Sequence, residues 1–365
     1  MKVFKTIILS VLLFLLANGG EALFAQAVYT LYPAPTTTVD VAPDGYRAVY
    51  VSHFGRHGSR FLTKREERSA YKTLSNTELP QAVKEAVDSL RRITLGHEGE
   101  LSELGAREQR GIGGRMAKRL PELFGTSLQD TSGMTKIRAR SSVIGRCKAS
   151  MRSFLEGMQA AAPGIKESTS ASLLTYRKFS RGVKHGKYNS GHPELLALAA
   201  YAWNAECLGV SKMLIVRYFT RGEHGQMLDE LDSAFCHSLM PSSRAEALCA
   251  KGLLRDIISK ADAALSGKRR YAADLRFGHD SAFVPLGCLM GLDGFGRNNR
   301  IGNIVPMAAN IQLIFYRSDS DSSDILVKIL HNEVATSIPA LTPALTKNSD
   351  QYYNWSELRS FLLVN

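Results

Sequence analysis

The chain has 365 residues, and 44% of them are hydrophobic, which supports a substantial core and excludes a disordered protein. A formal net charge of +12 at pH 7 favours an anionic partner. The basic residues are dispersed, however, and no nucleic-acid-binding motif is present. We therefore expect a small anionic molecule, rather than DNA or RNA, to be the partner.

The N-terminus predicts a signal peptide over residues 1–27. Lys2 and Lys5 precede a short apolar run at residues 7–16, and Ala25-Gln26-Ala27 has the Ala-x-Ala pattern of a cleavage site. The apolar run is too short for a typical membrane span. We expect a periplasmic or secreted protein with no membrane span after signal removal, and a retained signal anchor is the alternative.

A buried strand is predicted at residues 46–51, and a loop with several candidate functional side chains follows it. Residues 54–60 read Phe-Gly-Arg-His-Gly-Ser-Arg, so that His57 lies between Arg56 and Arg60. Arginine forks match phosphoryl oxygens and stay charged at any working pH, and glycine allows close approach to the backbone. The pattern predicts an imidazole that attacks phosphorus among phosphate-binding arginines. A surface loop that happens to contain these residues is the alternative.

The following segments alternate between helix and strand patterns. Helices are predicted at residues 80–93, from the N-cap Ser102 toward Leu120, and at 143–160, with a strand at 134–140. Arg146 falls near the start of the last of these helices, where it would add to the anion site that free amides favour. A surface ion pair is the alternative for Arg146.

Strand signals become scarce from residue 165 to residue 244. Helices are predicted there at residues 193–208 and 227–239. We therefore expect a mainly helical cap at 165–244, inserted into an α/β core made of residues 28–164 and 245–365.

Core patterns return in the last third of the chain. They comprise a helix at 244–265, a strand at 271–277, β-rich runs at 310–316 and 325–330, and a closing helix at 355–364. The alternation predicts an α/β fold with a mostly parallel sheet flanked by helices. His279 and Asp280 follow the strand at 271–277, so both candidate segments lie at carboxyl ends of strands, where sites form in such sheets.

Several ordered segments resemble the histidine acid phosphatases, which include phytases and multiple inositol polyphosphate phosphatases. Arg56 to Thr63 resembles their Arg-His-Gly-x-Arg-x-Pro-Thr signature, with Leu62 in place of proline. His279-Asp280 resembles the second catalytic segment of phytases and acid phosphatases, whereas residues 281–292 look like the inositol polyphosphate phosphatase branch. Residues 101–105 and 146–157 match two further family segments.

The resemblance implies a phosphoglycerate mutase-like core with an inserted helical cap. It also implies a phosphohistidine intermediate on His57 and proton donation by Asp280, for which a helix N-cap is the alternative role. The remaining expected contacts to substrate phosphate are Arg56, Arg60, Arg146, His279 and Thr63, and Thr63 is equally well explained as a plain loop residue. No metal and no cofactor is expected.

The function expected from the resemblance is hydrolysis of inositol polyphosphates such as phytate. A broad-specificity acid phosphatase or sugar phosphatase on the same machinery is the near alternative, and a non-catalytic polyanion-binding protein is the remote one. The sequence does not indicate an oligomeric state. Export would permit disulfides, and Cys236 with Cys249 is the expected pair among five cysteines.

Overall fold

The computed structural model describes residues 31–35, 42–125, 136–184, 186–268, 271–296 and 299–364. The predicted signal peptide at 1–27 lies outside these residues and stays a prediction. No helix within the described ranges is both long and apolar enough to cross a membrane.

A central sheet organises the described chain. Its strands are β1 (Tyr46–Arg56), β2 (Lys136–Ser141), β3 (Lys166–Ala171), β4 (Ala273–Gly278), β5 (Asn310–Ser318), β6 (Ile325–His331), β7 (Val334–Ala335), β8 (Leu345–Lys347) and β9 (Asp350–Asn354). The strand order is β3-β2-β4-β1-β5-β6-β9-β8, and β7 pairs with β6. Strands β1 and β4 are therefore neighbours in the middle of the sheet, although more than 200 residues separate them.

The sheet is mixed, which corrects the expected mostly parallel arrangement. Strands β3, β2, β4 and β1 run parallel, whereas β5, β6, β7, β8 and β9 join by antiparallel pairing. The reason lies in the connections, because residues 319–324 join β5 to β6 in a loop too short for a parallel crossover. The parallel half, whose strands are connected through helices, holds both candidate segments.

Helices cover the sheet, as the α/β prediction expected. They are α1 (Lys64–Ser75), α2 (Gln81–Thr94), α3 (Glu103–Arg119), α4 (Pro121–Phe124), α5 (Gly145–Ala161), α6 (Leu173–Phe179), α7 (Pro193–Cys207), α8 (Met213–Val216), α9 (Arg221–Leu239), α10 (Arg244–Ala247), α11 (Lys251–Leu265), α12 (Asp280–Met290), α13 (Ile301–Ile304) and α14 (Trp355–Val364). The single helix predicted at 244–265 is interrupted by a 3-10 turn at Leu248–Ala250.

Alternating side chains of the strands build a core on each face of the sheet. In β1, Tyr50 and Phe54 pack with α11, α12 and α14, whereas Val51 packs on the other face with α3 and α5. From Tyr50 to Arg56 every residue of β1 is buried, including the polar Ser52 and His53. The strand is thus held rigidly where it leads into the candidate loop.

Helices α3 and α5 approach each other closely through two glycines. A Cβ on Gly113 would lie 2.0 Å from the carbonyl oxygen of Phe154, and one on Gly157 would lie 1.9 Å from that of Arg110. Any larger residue would push the helices apart. The close packing explains why glycine occurs at 157 in the segment that begins with Arg146, and it fixes α5 relative to β1.

A third apolar cluster joins α1 and α2 to the predicted cap helices α7, α8 and α9. The predicted helix at 193–208 corresponds to α7, and the one predicted at 227–239 begins earlier, at Arg221. Residues 166–171 of the predicted cap form β3, which extends the central sheet. The division into core and cap stays a prediction. None of the five cysteines is in a disulfide bond, so the expected Cys236–Cys249 bond is absent.

Candidate active site

The parallel pair β1 and β4 brings the two histidine segments together. Arg56 at the end of β1 is in register with Gly278 at the end of β4, and the amide of His57 donates to the Gly278 carbonyl at 3.2 Å. The imidazole centroids of His57 and His279 are 5.6 Å apart, with their planes at 73°. The predicted location at the carboxyl ends of adjacent strands is therefore observed.

His57 is held in one orientation by its own loop. Its Nδ1 lies 2.9 Å from the carbonyl oxygen of Gly58. A carbonyl only accepts, so Nδ1 carries the hydrogen and Nε2 keeps a lone pair. Burial, followed by the neighbouring Arg146, Arg56 and Arg60, holds the pKa of His57 well below its usual range. The imidazole is therefore neutral near pH 7, as a nucleophile must be.

The loop around His57 is fixed by helix α3 and helix α5. The side-chain amide of Gln109 donates to the Arg56 carbonyl at 2.9 Å, and the Gly58 amide donates to the Ser150 hydroxyl at 3.1 Å. Gly58 has no room for a side chain, since a Cβ would lie 2.4 Å from the Gly105 carbonyl oxygen. The glycine after the histidine is thus required by packing against α3.

Arg56 is fully buried and joins the two segments. Its Nη1 donates to the Val305 carbonyl at 2.7 Å, and its Nη2 lies 2.7 Å from Oδ2 of Asp280. The other carboxylate oxygen of Asp280 accepts from the Ser281 amide at 2.8 Å. His279, rather than Asp280, occupies the N-cap position of α12, so the simple capping alternative for Asp280 does not describe its role.

The Asp280 carboxyl is ionised before substrate binds. Burial opposes ionisation, but Arg56, His279 and Arg60 together hold the pKa of Asp280 below its ordinary value. A bound phosphoryl group would neutralise the charge of Arg56 and Arg60 and raise the pKa of Asp280. A carboxyl that gains a proton only when the anion site is filled can serve as the acid for the leaving group.

Arg60 is oriented by Glu66 and by a cap residue. Its guanidinium forms a bidentate pair with the Glu66 carboxylate at 2.8 and 2.9 Å, and its Cζ lies 5.3 Å from the centre of the Trp203 ring. Thr63 is the N-cap of α1 and forms a capping box with Glu66, whose Oε2 accepts from the Thr63 hydroxyl at 2.8 Å. Contact between Thr63 and phosphate stays a prediction. The Thr-x-x-Glu pattern was the signal for Glu66 that the sequence reasoning missed.

Glu66 should make the folding stability of the protein depend on pH in the acidic range. Although burial opposes the shift, Arg60 lowers the pKa of Glu66 from 4.5 to about 2. A depressed pKa in the folded state contributes stability above about pH 4.5, and that contribution is lost as the pH falls toward 2. We expect the Tm of the wild type to fall more steeply than that of Glu66→Gln over this interval. Parallel Tm curves would contradict the assignment.

Arg146 and His279 face each other across the site. Arg146 is the second residue of α5, as predicted, and its Nη2 lies 3.4 Å from Nδ1 of His279. Burial and Arg146 lower the pKa of His279 to about 4. The opposite nitrogen, Nε2, lies 3.1 Å from the Ser142 hydroxyl and 3.4 Å from the Cys147 thiol. Ser142 and Cys147 were not predicted, and only their nearness to Arg146 in the chain pointed to them.

Helix α6 and the residue that follows it, Ser180, cover one side of the site. The amide of His279 donates to the Phe179 carbonyl at 3.1 Å, and the Ser281 hydroxyl donates to the Ser180 carbonyl at 2.9 Å. The Tyr176 ring, at the exposed edge of α6, has its centroid 6.2 Å from that of His279. Tyr176 is therefore an aromatic residue beside His279 that the sequence reasoning did not identify.

A cavity of about 600 Å³ opens on the far side of Glu66. Helices α1, α7 and α9 and residues 187–190 enclose it, and its floor is mainly apolar. Its volume is in the range of small-molecule pockets. Helices α1, α7 and α9 thus leave accessible space beside Glu66.

The structure brings six of the seven predicted site residues close enough to interact with one another. They are Arg56, His57, Arg60, Arg146, His279 and Asp280. Three of them are arginines, whose guanidinium groups suit an anion with several oxygens. Their individual roles stay predictions, and so does the expectation that no metal or cofactor is used.

Among the comparisons with known proteins, only the comparison of three-dimensional structures found matches. No protein-family profile matches the chain, and no curated protein sequence matches it. The multiple inositol polyphosphate phosphatase of Bifidobacterium longum, in complex with inositol hexasulfate, matches with a TM-score of 0.73 and 18% identity, over 93% of this chain and 96% of that one.

Two phytase structures match as well. The phytase from D. castellii has a TM-score of 0.68 at 14% identity, covering 93% of this chain and 84% of its own. The Hafnia alvei phytase has a TM-score of 0.60 at 12% identity, covering 89% and 98%. The chain therefore has the fold of these histidine phosphatases over almost its whole length, as the family resemblance implied.

Proposed function

We propose that the protein hydrolyses phosphate monoesters through a phosphohistidine on His57. The observation that carries this proposal is the orientation of His57, whose Nδ1 is tied to the Gly58 carbonyl while Nε2 keeps its lone pair beside His279. A structural histidine can also be held in one tautomer, as His331 is by the Ile304 carbonyl, but it would not need surrounding arginines. Arg56, Arg60 and Arg146 supply the positive charge that a phosphoryl group requires.

The reaction has two displacements. In the first, Nε2 of His57 forms a bond to phosphorus, the ester P–O bond breaks, and the leaving oxygen takes a proton from Asp280. In the second, water attacks phosphorus and gives its proton to Asp280, while the P–N bond breaks and its electron pair returns to Nε2. Inorganic phosphate leaves and His57 is again neutral. Asp280, which took up a proton from solvent when the ester filled the anion site, returns one to solvent as the site empties.

We propose inositol polyphosphates as the substrate class. The B. longum neighbour was solved with inositol hexasulfate, and a Hafnia alvei phytase with a TM-score of 0.59 was solved with myo-inositol hexakis sulphate. The net charge of +12 suits a polyanion. Arg65 and Lys187 on the wall of the cavity near Glu66 add charge beyond the reacting phosphate.

Kinetics on two substrates test the substrate class. We expect kcat/KM for inositol hexakisphosphate to exceed that for glycerol phosphate by at least about tenfold, because additional phosphates gain contacts with cations outside the reacting site. Raising the salt concentration should reduce the preference. Equal values for both esters would favour the broad-specificity alternative, and failure to hydrolyse either would favour the binding-protein alternative.

We further propose that the enzyme acts outside the cytoplasm. The support is the basic, apolar and Ala-x-Ala pattern of residues 1–27. N-terminal sequencing of the protein from its native host should begin at Val28. A mature chain that begins at Met1 would contradict export by cleavage.

A further inference from the structure

Helix α3 and its N-cap bind one residue of the catalytic loop, which comprises residues 57–60. That residue is Ser59, which is fully buried and precedes Arg60. Its amide donates to Oε2 of Glu108 at 2.8 Å, and its hydroxyl donates to Oε1 of the same carboxylate at 2.8 Å. Its carbonyl accepts from the amide of Ser102 at 2.9 Å and from the Ser102 hydroxyl at 3.1 Å. Every polar group of Ser59 is therefore held by this helix.

The same face of α3 also holds the backbone before the catalytic loop. The backbone of Ser59 lies directly on the helix at Gly105, where a Cβ would lie 2.1 Å from the Ser59 carbonyl oxygen. Gln109, which follows Glu108 in the chain, donates to the Arg56 carbonyl at 2.9 Å. Two consecutive side chains of α3 thus bind the backbone on both sides of the catalytic imidazole.

The carboxylate of Glu108 accepts hydrogen bonds chiefly from the catalytic loop. Its third donor is the amide of Tyr32, at the longer distance of 3.4 Å. Burial raises the pKa of Glu108, and the two hydrogen bonds from Ser59 are the largest effects that oppose this rise. Without the carboxylate, the buried amide of Ser59 would lose its acceptor, which costs more free energy than the net value of the bond. The loop would then move to find another partner.

We propose that Glu108 is a positioning residue, which holds Ser59 and thereby fixes His57 and Arg60 for the attack on phosphorus. The identity of the reaction rests on the proposed function. Glu108 acts through Ser59 and needs no contact with the substrate. Its effect is expected to be large, because a displacement of about 1 Å in a reacting group can lower a rate on the order of 10²-fold.

Three variants distinguish hydrogen bonding by Glu108 from its charge. Glu108→Ala removes the acceptor. Glu108→Gln keeps an oxygen for the Ser59 amide, and its NH2 group can donate to the Ser59 hydroxyl oxygen. Glu103→Ala is the control, because this exposed carboxylate lies on the same helix and pairs with Arg110.

Single-turnover kinetics measure the effect of these variants on the transfer of the phosphoryl group to His57. With saturating enzyme in excess over a ³²P-labelled ester, we expect Glu108→Ala to lower the rate constant about 10- to 100-fold. Glu108→Gln should recover most of this loss, and Glu103→Ala should stay near wild type. A smaller folded fraction would not change this rate constant, because it describes the active molecules alone. An unchanged rate constant in Glu108→Ala would overturn the proposal, as would a Glu108→Gln variant that is as slow as Glu108→Ala.

Hydrogen exchange measured by mass spectrometry tests the same contacts without turnover. Peptides that cover residues 54–62 should exchange faster in Glu108→Ala than in the wild type, because the Ser59 amide loses its acceptor. Glu108→Gln should keep the wild-type protection there, and peptides from β5 should exchange alike in all variants. Equal protection of residues 54–62 in Glu108→Ala and the wild type would overturn the proposal. If the wild type hydrolyses no phosphate ester, the proposed function fails, whereas this measurement still tests the role of Glu108.

Discussion

His57→Ala is expected to abolish phosphate-ester hydrolysis, with a loss of kcat of at least about 10⁴-fold. The reason is that no other side chain takes the position from which Nε2 attacks phosphorus. Arg56, His279 and Asp280 remain in place, so the variant should still bind phosphate esters. Substrate binding without turnover is therefore the expected result, measured by calorimetry and by phosphate release.

The covalent intermediate gives the decisive comparison. Wild-type protein mixed with a ³²P-labelled ester and stopped in alkali should carry label on histidine, and His57→Ala should carry none. His192→Ala, which changes an exposed histidine far along the chain, is the control and should label like the wild type. Labelling or full turnover in His57→Ala would assign the nucleophile to another residue.

Sequence reasoning located the site because its strongest signals are local. A buried strand, followed by Arg-His-Gly, can be recognised from neighbouring residues, and the same holds for β4 and His279-Asp280. The carboxyl-end rule then correctly predicted that two strands far apart in the chain would present their loops together. Arg146 was identified from its resemblance to a family segment, with Phe154 and Gly157 at the family's spacing, and from its place near the start of a predicted helix.

Local sequence patterns could not predict how strands and side chains far apart in the chain pair with each other. The antiparallel half of the sheet begins where β5 pairs with β1. The apolar sequence of β5 is compatible with either parallel or antiparallel pairing, so the sequence does not predict which one forms. The contacts of Ser142 and Glu66 likewise depend on what faces them in three dimensions. Serine next to serine, at 141 and 142, carries no signal that only the second contacts His279.

The role of Asp280 in proton donation can be distinguished from its contact with Arg56 by comparing substrates with different leaving groups. Asp280→Asn keeps the shape of the side chain and an oxygen that can accept from Arg56, which lies 2.7 Å away in the wild type. It removes the proton that the leaving oxygen needs. An alkoxide is a poor leaving group without that proton, whereas a nitrophenolate departs readily on its own.

We therefore expect Asp280→Asn to lower kcat/KM on inositol hexakisphosphate by about 100-fold or more, and on p-nitrophenyl phosphate by less than about 10-fold. The ratio kcat/KM is the relevant quantity because it reports the steps up to P–O cleavage, whereas kcat also includes hydrolysis of the phosphohistidine, which is common to both esters. The variant should also lose the fall in rate that the alkyl ester shows as the pH rises, because that fall reports deprotonation of the carboxyl in the substrate complex. An asparagine that merely disturbed Arg56 would weaken phosphate binding and slow both substrates alike. Equal losses on the two esters would assign Asp280 to the anchoring of Arg56 and require another acid for the leaving group.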